Sequence, residues 1–178
     1  WKIAKDPDNV GREERWYEAQ PPEALDAPVP GCMQMVYPGY HGVAWYWRTF
    51  PGDLPSDAEH RLLLHFDDVD YFGEVWLNGQ FIGSHEGAEA AFDLDATGAY
   101  RPGAENLLAV RVINVTTERI DGLLLVETPH RNRVVPYTNG SSQNLGGVVW
   151  NVELRRVPVV RIADVFVGPD IHTGSFHV

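Results

Sequence analysis

Residues 71–84, YFGEVWLNGQFIGS, set two β-rich runs on either side of Asn78-Gly79. That dipeptide readily takes the positive φ angles of a two-residue type I′ turn, so the stretch reads as a β-hairpin. Working outward, period-two alternation recurs. In 42–50, GVAWYWRTF, one face carries Val43, Trp45, Trp47 and Thr49 and the other Ala44, Tyr46, Arg48 and Phe50. Aromatics on both faces mark a central strand. In 61–66 Leu62, Leu64 and Phe66 share a side, and in 107–113 Leu108, Val110 and Val112 do, each set facing a packed interior. Residues 92–95, FDLD, read as a short strand closed by a polar turn at Ala96-Thr97, and Arg101-Pro102-Gly103 is a further turn. The run 148–154, VVWNVEL, alternates again with Val148, Trp150, Val152 and Leu154 on one face. A helical period is nowhere sustained, and 9–17 forms one short helical turn at most. Short strands at this spacing predict an all-β fold, a β-sandwich with Greek-key or jelly-roll connections.

Composition bounds what such a fold can do. The chain has 178 residues, enough for one full-sized core and too few for a large enzyme barrel. With 44% apolar and 11% aromatic residues it is no disordered chain. Its formal net charge is −11, with basic residues scattered singly, so it lacks the electrostatic footprint for nucleic acid or anionic lipid. No apolar run approaches the ~20 residues of a spanning helix. The opening WKIAKDPDN lacks the apolar stretch of a signal peptide, but a numbering that opens on Trp leaves an earlier cleaved signal open and the compartment undetermined. Cys32 is the one cysteine, so no internal disulfide or cysteine metal cluster can form.

Two regions stand apart. Residues 114–145 form a long, polar, irregular stretch, and loops of that length are commonly functional. From about 160 the pattern restarts: RIADVFVGPDIHTGSFHV reads as a strand, a Gly-Pro-Asp turn and a second strand. Residues 1–158 are therefore expected to form the first domain. Residues 159–178 are either the beginning of a second β-domain or an edge hairpin of the first.

The usual catalytic signatures are absent: no Gly-x-Ser-x-Gly elbow, no Walker loop, no Gly-x-Gly-x-x-Gly and no His-Glu-x-x-His. Asp67, Asp68 and Asp70 offer the oxygens that calcium takes, yet without the EF-hand glycine and glutamate they read better as a solvated acidic turn. Glu86 and Glu89 invite comparison with a glycosidase carboxylate pair, and His85 with a general base; structural roles are the simpler reading for each. No catalytic residue, metal site or cofactor site is assigned. Sugars present C–H faces that stack on aromatics and hydroxyls that take polar partners. Binding candidates on irregular segments are therefore Tyr37, Tyr40 and His41, then His130, Arg131, Asn132, Tyr137 and Asn144. Trp45, Trp47, Trp76 and Trp150 sit in strand patterns and read first as core or interface. Asn114-Val115-Thr116 and Asn139-Gly140-Ser141 fit the glycosylation sequon.

Taken in order, WKIAKDPDN, VPG at 29–31, YHGVAWYWRTF at 40–50, RLLLHFDDVDYFGEVWLNGQFIGSHEGAEAAFDLDAT at 61–97 and GGVVWNVEL at 146–154 resemble one family. It is the N-terminal sugar-binding domain of glycoside hydrolase family 2, which includes β-galactosidases, β-glucuronidases and β-mannosidases. The resemblance implies a galactose-binding-like jelly-roll, with the tail beginning an immunoglobulin-like domain and a separate (β/α)₈ barrel supplying both catalytic glutamates of a retaining enzyme. The family's acid/base glutamate follows an asparagine, and this chain has no Asn-Glu dipeptide. In the galactosidase and glucuronidase branches an aspartate shortly before the Gly-Ile segment reaches the substrate region. Here the segment is Gly146-Gly147-Val148, and the corresponding position falls at about Ser141, which removes a charged acceptor and argues against both galactosidase or glucuronidase specificity and a monovalent-metal site built on that aspartate. Ser141, Gln143 and Asn144 can still hydrogen-bond a sugar hydroxyl. Asn78, Gly79, His85 and Glu86 are expected to be structural: the first two fix the turn, the others pin the strand leaving it. The expectation is a non-catalytic domain that scaffolds and partly lines the active site of a barrel outside these residues. A free-standing carbohydrate-binding module is the alternative. Carbohydrate and the two intramolecular domains are the expected partners, and surfaces those domains would cover should promote self-association.

Overall fold

The computed structural model describes residues 1–128, 144–162 and 164–177. Its strands are β1 (Lys2–Lys5), β2 (Leu25–Asp26), β3 (Gly42–Pro51), β4 (His60–Phe66), β5 (Phe72–Leu77), β6 (Gln80–Glu86), β7 (Phe92–Asp95), β8 (Glu105–Asn114), β9 (Val152–Pro158), β10 (Gly168–Asp170) and β11 (Ser175–His177). Among the described residues the only helical elements are short 3₁₀ turns at Met33–Met35 and Leu125–Glu127. A six-stranded sheet, ordered β2-β1-β3-β8-β5-β6, lies against a three-stranded sheet, β7-β4-β9. All strand pairs are antiparallel.

Alternation explains the layers. Ala44, Tyr46, Leu108, Val110 and Val112 of the large sheet meet Leu62, Leu64 and Phe66 of the small one in the main core. The opposite face of β3 and β8 carries Val43, Trp45, Trp47, Ala109 and Ile113, which with Trp76 form a second buried cluster under Trp16 and Tyr17. The cover comes from residues 6–24. Asp6, 1% exposed, anchors it by accepting from Trp45 Nε1 at 3.0 Å and from the Val10 and Gly11 N–H groups at 2.8 and 2.9 Å. Glu14 N donates to Val10 O at 3.0 Å, which is the short helical turn expected within 9–17.

The β5–β6 hairpin turns at Asn78 (φ 54°) and Gly79 (φ 81°), the two positive angles its sequence demands. The Asn78 side chain also reaches across the sandwich end. Its Nδ2 donates to Ala99 O and Asn106 Oδ1, both at 2.8 Å, and its Oδ1 accepts from Leu107 N at 3.0 Å.

The alternating run 148–154 is only half a strand. β9 begins at Val152; Val148 is fully buried, but Trp150 is 59% exposed and belongs to no core. The backbone just before it is already engaged elsewhere. Met33 N donates to Gly146 O at 2.7 Å and Gly31 N to Val148 O at 3.2 Å, while Asp70 and Gly147 exchange N–H···O bonds at 3.0 and 2.8 Å. A segment held by 31–33 and Asp70 cannot also extend the β4 ladder. β10 and β11 pair with each other and join neither sheet.

This seam requires glycine. Gly147 has φ 144°, and a Cβ there would lie 2.6 Å from Tyr46 Oη; one on Gly146 would lie 2.5 Å from Asn114 Cβ. Gly147→Ala should cost roughly 2–3 kcal/mol by overpacking and strain. Gly98→Ala, where nothing lies within 4 Å of the added Cβ, should stay within about 0.5 kcal/mol of the parent in urea denaturation.

Candidate functional site

β3 begins where β8 ends, with Gly42 opposite Asn114. This brings Tyr40 and His41 beside the chain that leaves β8. The pair is organised around Asn114, which is fully buried. Asn144 Nδ2 donates to Val115 O at 2.7 Å, and Asn114 Nδ2 donates to Asn144 Oδ1 at 2.9 Å. Asn114 Oδ1 accepts from Gln34 Nε2 at 3.0 Å and lies 2.7 Å from His41 Nδ1. Gln34 is itself held at both ends of its amide, donating to Tyr40 O at 2.8 Å and accepting from Gly146 N at 3.2 Å.

A cleft of about 510 Å³ opens beside this relay, lined by Tyr40, His41, Gly42 and Val43 on one side and by Thr116 and Glu118 to Asp121 on the other, with Pro7 and Asn9. Tyr40 Oη donates to Val43 O at 2.6 Å, and burial, aided by the Asp6 charge, pushes its phenol up to about 12. The basic groups nearby are already paired. Arg119 donates to Glu127 at 2.7 and 2.9 Å and to Gly122 O at 2.6 Å. Arg111, fully buried, donates to Glu74 at 2.5 Å and Asp121 at 2.7 Å and also bonds Asn9; Arg12 adds a contact to Asp121 at 2.6 Å.

Of the residues singled out from sequence, Tyr40 and His41 therefore share one cleft. Asn144 lies behind them, 4% exposed, with both ends of its amide engaged. That placement fits a positioning role better than a direct sugar contact. His130, Arg131 and Ser141, with Asn132, Tyr137 and Gln143, lie outside the described residues. Sequence reasoning missed Gln34, Asn114, Arg119 and Asp121. Asn114 draws notice in the sequence only as a glycosylation sequon, a role its full burial and engaged Nδ2 do not suit.

The acidic residues whose types suit catalysis or metal binding are spread among separate partners. Asp67 accepts from Asn151 at 3.1 Å and pairs with His65, Asp68 accepts from Glu89 N at 3.0 Å, and Glu86 accepts from Tyr71 Oη at 3.1 Å. Among the described residues no group of three or more His, Cys, Asp or Glu could hold a metal ion. His85 stacks on Phe92 with ring centroids 4.2 Å apart, and burial lowers its pKa. Asp68, 6% exposed, is raised to about 6 by burial, with the Asp70 and Glu89 charges adding to it.

The sandwich is a galactose-binding-like jelly-roll with a polar cleft at one end. Residues 36–158 match the family described as "Glycosyl hydrolases family 2, sugar binding domain", and the chain belongs to that family. A β-glucuronidase of Paenibacillus borealis is 29% identical over 98% of this chain and 31% of its own length. A β-galactosidase of Thermoanaerobacter pseudethanolicus is 30% identical over 71% of this chain and 15% of its own. Among solved structures, the apo β-glucuronidase from Ruminococcus gnavus superposes with a TM-score of 0.60 at 26% identity, over 65% of this chain and 21% of that one. The chain thus spans less than a third of the length of these relatives.

Two outcomes follow from the geometry. Because the folded pKa of Asp68 lies above its unfolded value, the folded state binds more protons and stability falls as pH rises from about 4 to about 6. Asp68→Asn should flatten that window and gain on the order of 2 kcal/mol above pH 6, read by thermal melts across pH. Asn144→Ala should cost roughly 2–3 kcal/mol in urea denaturation, since it strands the Asn114 N–H and the Val115 carbonyl.

Proposed function

We propose that the chain is the non-catalytic jelly-roll domain of a family 2 β-glycosidase, scaffolding and partly lining the active site of a (β/α)₈ barrel outside these residues. The observation that carries this reading is the family match over 36–158 in a chain that spans 31% and 15% of the two curated relatives named above. The relatives act on β-glycosides by name, and a carbohydrate substrate for the whole protein is inferred from them. Cleavage through an oxocarbenium-like transition state needs two carboxyl groups positioned across a bound sugar. Glu86 is instead bonded to Tyr71, and Asp68 holds the Glu89 backbone.

The aromatic inventory favours scaffold over free-standing binding module. Trp45 and Trp47 are 0% and 1% exposed and Trp76 7%, and the last stacks on Tyr17 with centroids 5.4 Å apart. These rings pack the outer sheet face and offer no platform to a glycan chain. The β10–β11 hairpin is read as the first strands of an immunoglobulin-like domain. Val160, Ile162, Phe166 and Ile171 are each more than four-fifths exposed, an apolar surface suited to cover by neighbouring domains or, failing that, to self-association.

The test is turnover. The purified 178-residue chain should leave p-nitrophenyl β-glucuronide, β-galactoside and β-mannoside unhydrolysed, whereas the whole protein should cleave at least one of them. Hydrolysis by the chain alone, abolished by Glu86→Gln, would overturn the reading.

A further inference from the structure

We propose that the cleft where the two sheets part beside β9 is a binding site for a carboxylate carried on an apolar body, with the Arg48 guanidinium as its anion-binding group. The small sheet ends at β9, whereas the large sheet runs on past β3 through β1 and β2. That overhang leaves a cleft of about 520 Å³, within the usual range for small-molecule sites. Its walls are apolar. Trp1, Val29, Phe50, Val152 and Leu154 pack against the main core and are only partly buried, and the core residues Leu64 and Leu108, each 2% exposed, also line it.

Strand alternation places the cation there. Arg48 follows Ala44 and Tyr46 at every second residue of β3, on the face that packs against the small sheet, and Phe50 comes next. Under a wider small sheet a charge at that position would be buried; beside the cleft it stays exposed. Arg12, Arg61, Arg111, Arg119, Arg155 and Arg156 each hold a carboxylate of this chain, and Arg48 holds none among the described residues. The other charged side chain on the lining is Glu153, which already accepts from Arg155 Nε at 2.9 Å and Nη2 at 2.8 Å. Lys2 and, after it, the Trp1 ammonium hold the Asp26 carboxyl below its usual range, so that ammonium has its own counter-charge. Arg48 is therefore an unmatched positive charge among apolar walls, on a chain whose net charge is −11. A guanidinium offers paired N–H donors that the two oxygens of a carboxylate meet together, and the walls take the rest of the ligand. A small inorganic anion would leave those walls wet, and a neutral apolar ligand would cover the guanidinium without pairing it. The glycosidase reading plays no part in this choice.

Titration of the labelled chain with hydrocinnamate, with its neutral counterpart hydrocinnamyl alcohol and with acetate, followed in ¹H–¹⁵N spectra, tests the site. The expected result is a saturable, millimolar response to hydrocinnamate at Arg48 Nε–H and at the Trp1 indole N–H. The alcohol should bind about fivefold more weakly, the upper range for an exposed ion pair, and acetate, which cannot cover the walls, should lose at least as much. Arg48→Gln should bring the acid down to the level of the alcohol, and Arg48→Lys should keep part of the difference. Both variants should melt with the parent, since the side chain is exposed. No saturable response, an alcohol or acetate bound as tightly as the acid, an acid that binds Arg48→Gln unchanged, or a response lost on Nα-acetylation of Trp1 would each overturn the inference. So would binding by the chain and not by the whole protein, which would give the cleft to an acidic side chain from elsewhere in the same protein.

Discussion

The ten-residue β3–β8 ladder, running from Gly42 opposite Asn114 to Pro51 opposite Glu105, is buried on both faces over most of its length, and that constraint shapes the rest of the molecule. A sheet face carrying Trp45 and Trp47 needs a cover as much as the face carrying Tyr46 and Val110 does. The small sheet supplies one cover and residues 6–24 the other. The same face also encloses Arg111. A buried guanidinium is tolerable only when its charge is matched, since removing one partner of a buried pair costs several kcal/mol. Glu74 comes from the neighbouring strand, Asp121 from the turn after β8 and Asn9 from the covering segment, so one cation ties three separate parts of the chain to one place.

At the sandwich end the chain uses amides instead of charges. Gln34, Asn114 and Asn144 join the 3₁₀ turn at Met33–Met35, the end of β8 and the seam at Gly146-Gly147. Neutral donors and acceptors that satisfy one another avoid the desolvation cost of ions, and a network satisfied at this level resists rotation of any single member. The two glycines belong to the same device: without side chains they let Asn114 and Tyr46 approach the backbone that carries Asn144.

The sequence made the local features legible and the distant ones not. The hairpin at Asn78-Gly79 was readable because its turn chemistry is contained in two residues. The strands at 42–50, 61–66 and 107–113 were readable because burial repeats every second residue. Trp150 was misread because 148–154 keeps the right alternation, while the backbone before it is committed to residues 31–33 and 70, a competition that no local pattern records. Tyr40 and His41 were found as polar aromatics on irregular chain. Their organiser, Asn114, bonds a residue 30 positions later and others 73 and 80 earlier, and nothing in a window of that strand announces it. Arg111 has the alternation of a solvent-facing residue and none of its exposure.

These surfaces differ in kind, and the difference bears on where a substrate can be met. The outer face of the small sheet carries ion pairs such as Arg61 with Asp95, His65 with Asp93 and Arg155 with Glu153, a solvated surface of little energetic consequence. The outer face of the large sheet is sealed by the covering segment. At the end where β3 begins and β8 finishes, irregular chain, satisfied amides and an open cleft coincide. Recognition groups are held best on segments that a rigid scaffold positions, because hydroxyl recognition depends on donor and acceptor directions that a mobile loop does not maintain. The ladder provides that rigidity, and the amide relay carries it from the ladder to His41.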